Sequence, residues 1–303
     1  MKLHSLNFID LPNGERIAYR KAGQAEQTII LIHGNMSSSV HFHSTMEALK
    51  GDYTVYAPDM RGFGKSSYNN PALSLLDLAK DLVDFMNLLN IDKATLIGWS
   101  TGGGVALEIA ASIPNRIEKV FLVASVGIQG YLNIPANHVP QSVMGPSNMF
   151  NIFKRRMKKW NPILQKIESS IKRRNQKSLL KLLKSLYYKH ELTESELSTY
   201  LEAMYEQRNY SDIYYNLMEF NMTRTSNGIS PGSNRIRYIK APIVILHGKY
   251  DTVVGMDLTQ ETKDYFGDQA KLYILDTGHA IMADDFETYL SIIKNEMHTL
   301  QAL

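Results

Sequence analysis

Along the chain, short runs of β-branched and aliphatic residues alternate with stretches whose apolar positions recur at helical spacing. The runs Leu3–Phe8, Arg16–Arg20, Thr28–Ile32, Tyr53–Ala57, Thr95–Ile97, Lys119–Val123, Ile243–Leu246 and Lys271–Leu275 read as strands. Leu75, Leu76, Leu78, Ala79, Leu82, Val83, Phe85, Met86 and Leu89 recur at the 3.6-residue period of an amphipathic helix, with Ser74 placed to cap it. The first two strands, joined through Leu11-Pro12-Asn13-Gly14, read as an antiparallel hairpin. This alternation predicts an α/β fold, a mostly parallel eight-stranded sheet with helices on both faces.

The rhythm breaks between the sixth and seventh strands for more than a hundred residues, far beyond an ordinary α/β connection. Helical periodicity returns there, in Ile163, Leu164, Ile167 and Ile171 and again in Leu179, Leu180, Leu182, Leu183 and Leu186. The expected organisation is a core of residues 1–128 and 233–303 with an inserted helical cap over 129–232. Gly228-Ile229-Ser230-Pro231-Gly232 reads as the returning linker.

With 44% hydrophobic and 21% charged residues in 303, the composition is globular and excludes a disordered or collagen-like chain. The absence of cysteine removes disulfides, thiolate metal sites and a cysteine nucleophile, and fits a reducing compartment. The N-terminal residues lack the apolar stretch of a signal peptide, and no run approaches the roughly 20 residues of a membrane span. A soluble, cytoplasmic protein is expected. The net charge of +3 hides an asymmetry: residues 151–190 carry thirteen Lys/Arg against Glu168, a balance of +12, and the rest sums to −9. Such a run ordinarily marks a solvated helix face. Contact with an anionic membrane surface is the alternative, because Ile163, Ile167 and Ile171 interleave with the cations. No nucleic-acid-binding motif accompanies the charge. The oligomeric state is left open.

Gly98-Trp99-Ser100-Thr101-Gly102 matches G-x-S-x-G, preceded by an apolar strand and followed by helix-forming Val105–Ala111. A serine on so sharp a turn needs small neighbours, and the helix N-terminus beside it favours developing negative charge. An alcohol attacks only if a base takes its proton, and a histidine base must be held in one tautomer by a carboxylate. Asp251 follows the seventh strand and His279 the eighth, so both belong at the carboxyl edge where an open parallel sheet keeps its crevice. Asp276 competes as the acid but lies three residues from His279; Glu108, on the helix after Ser100, is expected to be solvated. His33 and His247 each precede glycine at a strand end and read as loop supports; His4, His41, His43, His138, His190 and His298 lack a strand-end context. For an oxyanion, the Thr101 N–H and the Asn35 N–H, in the loop after the third strand, are the expected donors.

These residues give the resemblance. His33-Gly34-Asn35, Asp59-Met60-Arg61-Gly62-Phe63-Gly64-Lys65-Ser66, Gly98–Gly103, Gly248-Lys249-Tyr250-Asp251 and Gly278-His279 resemble, in order, the motifs of the α/β-hydrolase fold superfamily. The resemblance implies that sheet with a helical lid, and a serine hydrolase with Ser100, Asp251 and His279 as the triad and Asn35 and Thr101 as the oxyanion hole. The expected reaction is cleavage of an ester or related acyl bond of a small, fairly apolar substrate, the apolar character following from the aromatic and methionine-rich residues of the lid, and no metal or organic cofactor is expected. Epoxide hydrolases and haloalkane dehalogenases use aspartate where Ser100 stands, which sets them apart. The usual proline of the perhydrolase oxyanion loop is absent after Asn35. Hydrolases of meta-cleavage products, which split C–C bonds, share the serine and the lid and remain an alternative, as does a non-catalytic receptor. The aromatic and methionine-rich set from Tyr187 to Phe220 is expected mainly to pack the cap's own core, with a few members lining a pocket.

Overall fold

In a computed structural model, which describes residues 2–131 and 161–298, the strands form one sheet. They are β1 (Leu6–Asp10), β2 (Arg16–Ala22), β3 (Thr28–Ile32), β4 (Thr54–Pro58), β5 (Ala94–Trp99), β6 (Ile117–Val123), β7 (Ile243–Gly248) and β8 (Ala270–Leu275). Their spatial order is β1-β2-β4-β3-β5-β6-β7-β8. β2 runs antiparallel to β1 and β4, and every pair from β4 to β8 is parallel. From β3 the chain steps to β4 on one side and then to β5 on the other. The loops after β3 and β5 therefore diverge and leave a crevice at their carboxyl ends.

Each expected strand is present, with one shifted. β1 begins at Leu6 rather than Leu3 because its register is counted from the turn: Asp10 pairs with Arg16, and the Leu11 N–H donates to Glu15 O at 2.7 Å around Gly14 at φ 83°. The exposed Phe8 ring lies under the Arg16 guanidinium.

Alternate residues of the central strands feed two cores. Ile30, Ile32, Leu96, Val120, Leu122, Ile243 and Ile245 face one side and pack on α2 (Leu75–Leu88) and α3 (Thr101–Ser112). Ile29, Leu31, Ile97, Phe121, Val123, Val244 and Leu246 face the other side, toward α1 (His43–Leu49) and the C-terminal helix (Phe286–His298). Full burial of side chains of this size contributes about 1.5–3 kcal/mol each, which is why strands covered on both faces read as continuous apolar runs. Ser74 caps α2 as expected, accepting from the Asp77 N–H.

Between β6 and β7 lie α4 (Pro162–Lys172), α5 (Gln176–Lys184), α6 (Glu194–Tyr205) and α7 (Tyr210–Glu219). They share a small core of Ile171, Leu179, Leu183, Tyr200, Leu201 and Met204 that also takes in Met36 and Val40 from the loop after β3. Tyr215 and Met218 are buried with Leu164 in a second cluster, so much of the aromatic set does pack the insert itself. The expected insert residues 132–160, with His138 and the cations from Lys154 to Lys159, lie outside the described residues. After β7 come α8 (Met256–Phe266), the short α9 (Ile281–Asp284) and α10, the C-terminal helix. Among the described residues no helix is long and apolar enough to cross a membrane.

Candidate active site

The turn from β5 into α3 places Ser100 at φ 56°, ψ −120°, a conformation that costs a non-glycine residue about 1–3 kcal/mol. The surroundings hold it there. The Ser100 N–H donates to Val123 O at 2.9 Å, and the Ser100 carbonyl accepts from Gly103 and Val126. A Cβ on Gly98 would lie 2.4 Å from Gly102 O, and one on Gly102 would lie 2.1 Å from Ile32 O. The turn closes on backbone, so only glycine fits. Thr101 is the first residue of α3, and its N–H therefore has no acceptor within the helix.

Asp251 sits on the turn after β7. Its Oδ1 accepts from the N–H groups of Val253 at 2.7 Å and Val254 at 3.0 Å, which leaves Oδ2 to take the His279 Nδ1 proton at 2.8 Å. Both side chains are buried. Burial pushes the Asp251 carboxyl up, but the bond and charge of His279 and the two backbone donors outweigh it and hold it below the ordinary carboxylate range. An ionised carboxylate only accepts, so Nδ1 carries the proton and Nε2 presents its lone pair. Trp99, buried beside Ser100, donates from Nε1 to His279 O at 3.0 Å and ties the loop of His279 to the turn of Ser100.

The expected residues converge: Asn35, Ser100, Thr101 and His279 line one cavity of about 380 Å³. Asp276 stands apart, mostly exposed and paired with Lys249. Glu108 corrects the expectation that it is solvated: it is buried, 2.7 Å from Arg235 Nε. Helical position alone hides this, because Arg235 arrives from 127 residues further along. His33 supports its loop, accepting the Met60 N–H at Nε2, and His247 bonds Thr259. His41 is buried against Tyr200 at 4.1 Å between ring centroids, and burial pushes it down to about 3, so it stays a neutral wall.

Two residues that the sequence does not single out join the insert to the site. Gln207, between α6 and α7, bonds Asn35 and Met36. Asp284 gathers the N–H groups of Tyr188, Lys189 and His190 from the insert and of Gly278 beside His279. Burial raises its carboxyl, but these four donors prevail and hold it low. A depressed carboxylate adds stability that is present above its unfolded value, about 4, and is lost as pH falls further. Asp284→Asn cannot accept from both sides; it is expected to lower the melting temperature at pH 7 and to flatten its decline between pH 5 and 3, read by thermal unfolding across that range.

The cavity wall is apolar, formed mainly by Leu182, Leu186, Met204, Leu217, Val253 and Val254. No lysine or arginine among the described residues lines it; the described cations of the basic run, such as Lys172, Arg173 and Lys181, lie on the exposed faces of α4 and α5. Among the described residues, one set of potential metal ligands converges, His4, His43 and Glu47 within 4.8 Å of one another. It is not part of the cavity, and Glu47 is already paired with Lys50.

Comparison with known proteins places the site in context. The pattern of the alpha/beta hydrolase fold family matches residues 27–286. An uncharacterized protein of Mycobacterium tuberculosis (strain ATCC 25618 / H37Rv) is 34% identical over 122 residues, which is 40% of this chain and 36% of that protein. The match thus spans little more than a third of that relative's length. A 2-hydroxy-6-oxononadienedioate/2-hydroxy-6-oxononatrienedioate hydrolase of Burkholderia vietnamiensis (strain G4 / LMG 22486) is 27% identical over 258 residues, covering 84% of this chain and 81% of that one. Among solved structures, an esterase from Exiguobacterium antarcticum superposes with a TM-score of 0.71 at 18% identity, over 96% of this chain and 98% of the other.

Proposed function

We infer, for a chain that belongs to the alpha/beta hydrolase fold family, a serine hydrolase that cleaves esters of small, fairly apolar acids through Ser100, His279 and Asp251. The observation that carries this reading is the Asp251–His279 bond opening into the same cavity as the strained Ser100. The insert, residues 129–232, is read as a cap, and its described helices border this cavity through Leu182, Leu183, Met204 and Leu217.

His279 Nε2 takes the Ser100 proton as Oγ attacks the ester carbonyl, and Asp251 stabilises the imidazolium. The N–H groups of Asn35 and Thr101 hold the tetrahedral oxyanion; among the described residues the Asn35 N–H has no protein acceptor and is free for this. His279 returns the proton to the departing alkoxide as the C–O bond breaks, leaving an acyl-Ser100. Water then attacks that ester while His279 accepts its proton, and the proton passes to Ser100 Oγ as the acid leaves. The triad and one water account for every bond and proton.

The C–C hydrolase reading draws on the likeness to the Burkholderia enzyme. The apolar wall weighs against it, since a dianionic dienoate has no cation to meet among the described lining residues.

Intact-mass analysis after treatment with a fluorophosphonate, beside a short-to-long series of p-nitrophenyl esters and a ring-fission dienoate, tests the choice. One adduct per chain, lost in Ser100→Ala, with turnover peaking at a mid-length acyl chain, is expected. Labelling with turnover of the dienoate alone would select the C–C reading, and an unlabelled wild type would overturn the assignment of Ser100.

A further inference from the structure

Gln207 is 3% exposed, and its amide faces the loop after β3. Nε2 donates to Asn35 Oδ1 at 2.7 Å and to Asn209 Oδ1 at 3.0 Å, while Oε1 accepts the Met36 N–H at 3.0 Å. Met36 has φ 54°, in the left-handed region where a non-glycine residue needs an outside hold. Asn35, which lines the cavity, is therefore held at its side chain and at the N–H of the residue that follows it by two bonds from one side chain of the insert.

The neighbours of Gln207 anchor it in turn. Asn209 donates from Nδ2 to Arg61 O at 2.8 Å, the Arg208 N–H donates to Gly62 O at 2.8 Å, and the Arg208 guanidinium donates to Gly64 O at 3.1 Å. Residues 207–209 thus dock on the loop after β4 and reach from there to the loop after β3. An amide suits the place because it offers two N–H donors and an acceptor in one fixed plane. An apolar side chain of equal length offers none, and would leave the Met36 N–H without its acceptor.

We propose that Gln207 is a positioning residue for the oxyanion hole: by holding the Asn35 side chain and the Met36 N–H, it aims the Asn35 N–H, so that the hole is complete only when the insert is docked on the core. The proposal rests on the reading of Asn35 and Ser100 as a serine-hydrolase site. It gives the insert a part in the chemical step in addition to shaping the pocket. Donors act at full strength only when aimed where charge develops, and a misplacement of about 1 Å costs up to ~100-fold.

The test compares wild type, Gln207→Met and Asn35→Ala, which cuts the same link from the other side and leaves the backbone donor in place. Steady-state ester hydrolysis is measured beside the rate of fluorophosphonate labelling and thermal unfolding. In both variants kcat and the labelling rate are expected to fall together by roughly ten- to hundredfold while KM stays within about twofold, and the double variant to be little worse than either. Unchanged kcat in Gln207→Met, or a loss carried by KM with labelling intact, would overturn the proposal and leave the triad standing. If Gln207→Met fails to fold, Asn35→Ala alone decides by the same criteria. A wild type that does not label would overturn the proposal together with the reading on which it rests.

Discussion

Asp251→Asn is expected to lower kcat for ester hydrolysis by about four orders of magnitude with little change in KM, the size seen when a triad histidine is left in the wrong tautomer. The reason lies in which oxygen does what. Oδ1 of Asp251 is committed to the N–H groups of Val253 and Val254, and Oδ2 takes the His279 Nδ1 proton. An asparagine keeps its carbonyl oxygen toward the two backbone donors, because the opposite orientation would set its NH₂ against both. Its NH₂ then faces Nδ1, which must accept. The ring proton moves to Nε2, where a lone pair is needed to take the Ser100 proton. Steady-state kinetics with thermal unfolding as the fold control makes the measurement, and a loss below about tenfold would remove Asp251 from the triad. The reciprocal change, Asp276→Asn, touches an exposed side chain and should leave kcat within about twofold of wild type.

The core and the positions of the proposed triad residues are legible because short-range rules fix them. β3, β5, β6 and β7 are covered on both faces, so each is a continuous apolar run, and Ser100, Asp251 and His279 follow directly from strand ends that the sheet must bring to one edge. What was not legible depends on partners far along the chain. Glu108 looks like a solvated helical acid until Arg235 reaches it from outside the insert. Asp284 has no feature that separates it from Asp285, since its partners are backbone N–H groups, of Gly278 nearby and of Tyr188, Lys189 and His190 roughly 95 residues earlier, and backbone groups leave no mark on the sequence. Gln207 is hidden for a related reason: its loop follows an amphipathic helix whose periodicity concerns only the insert's own core. Asp284 and Gln207 each join the core to the insert, and Glu108 joins the two stretches of the core that the insert separates along the chain.

The largest stability effect expected in this fold also depends on a partner from another element. Arg61 belongs to the glycine-rich loop after β4, where its sequence context suggests part of a functional motif, yet its guanidinium is buried against Asp81 of α2. Nε and Nη2 reach the two carboxylate oxygens at 2.7 and 2.5 Å, Nη1 donates to Asn70 O at 3.2 Å, and Asn13 from the hairpin turn completes Asp81 at 2.7 Å. Asp81→Ala leaves a cation that water cannot reach, and about 3–5 kcal/mol of folding stability should be lost. Replacing both partners by apolar residues, Arg61→Met with Asp81→Leu, removes the stranded charge and should restore most of that loss, because a buried pair stabilises little beyond what good packing in its place would provide. Urea unfolding of the two variants reads the difference as a shift in midpoint at constant slope. If the double variant is no more stable than Asp81→Ala, the pair contributes through geometry that methionine and leucine cannot mimic. The consequence would then appear at the site, since the Arg61 carbonyl takes the Asn209 amide, and Asn209 accepts from Gln207. A loop that shifts at Arg61 would carry Gln207 with it, and the Asn35 N–H would lose its aim while Ser100, His279 and Asp251 stay in place.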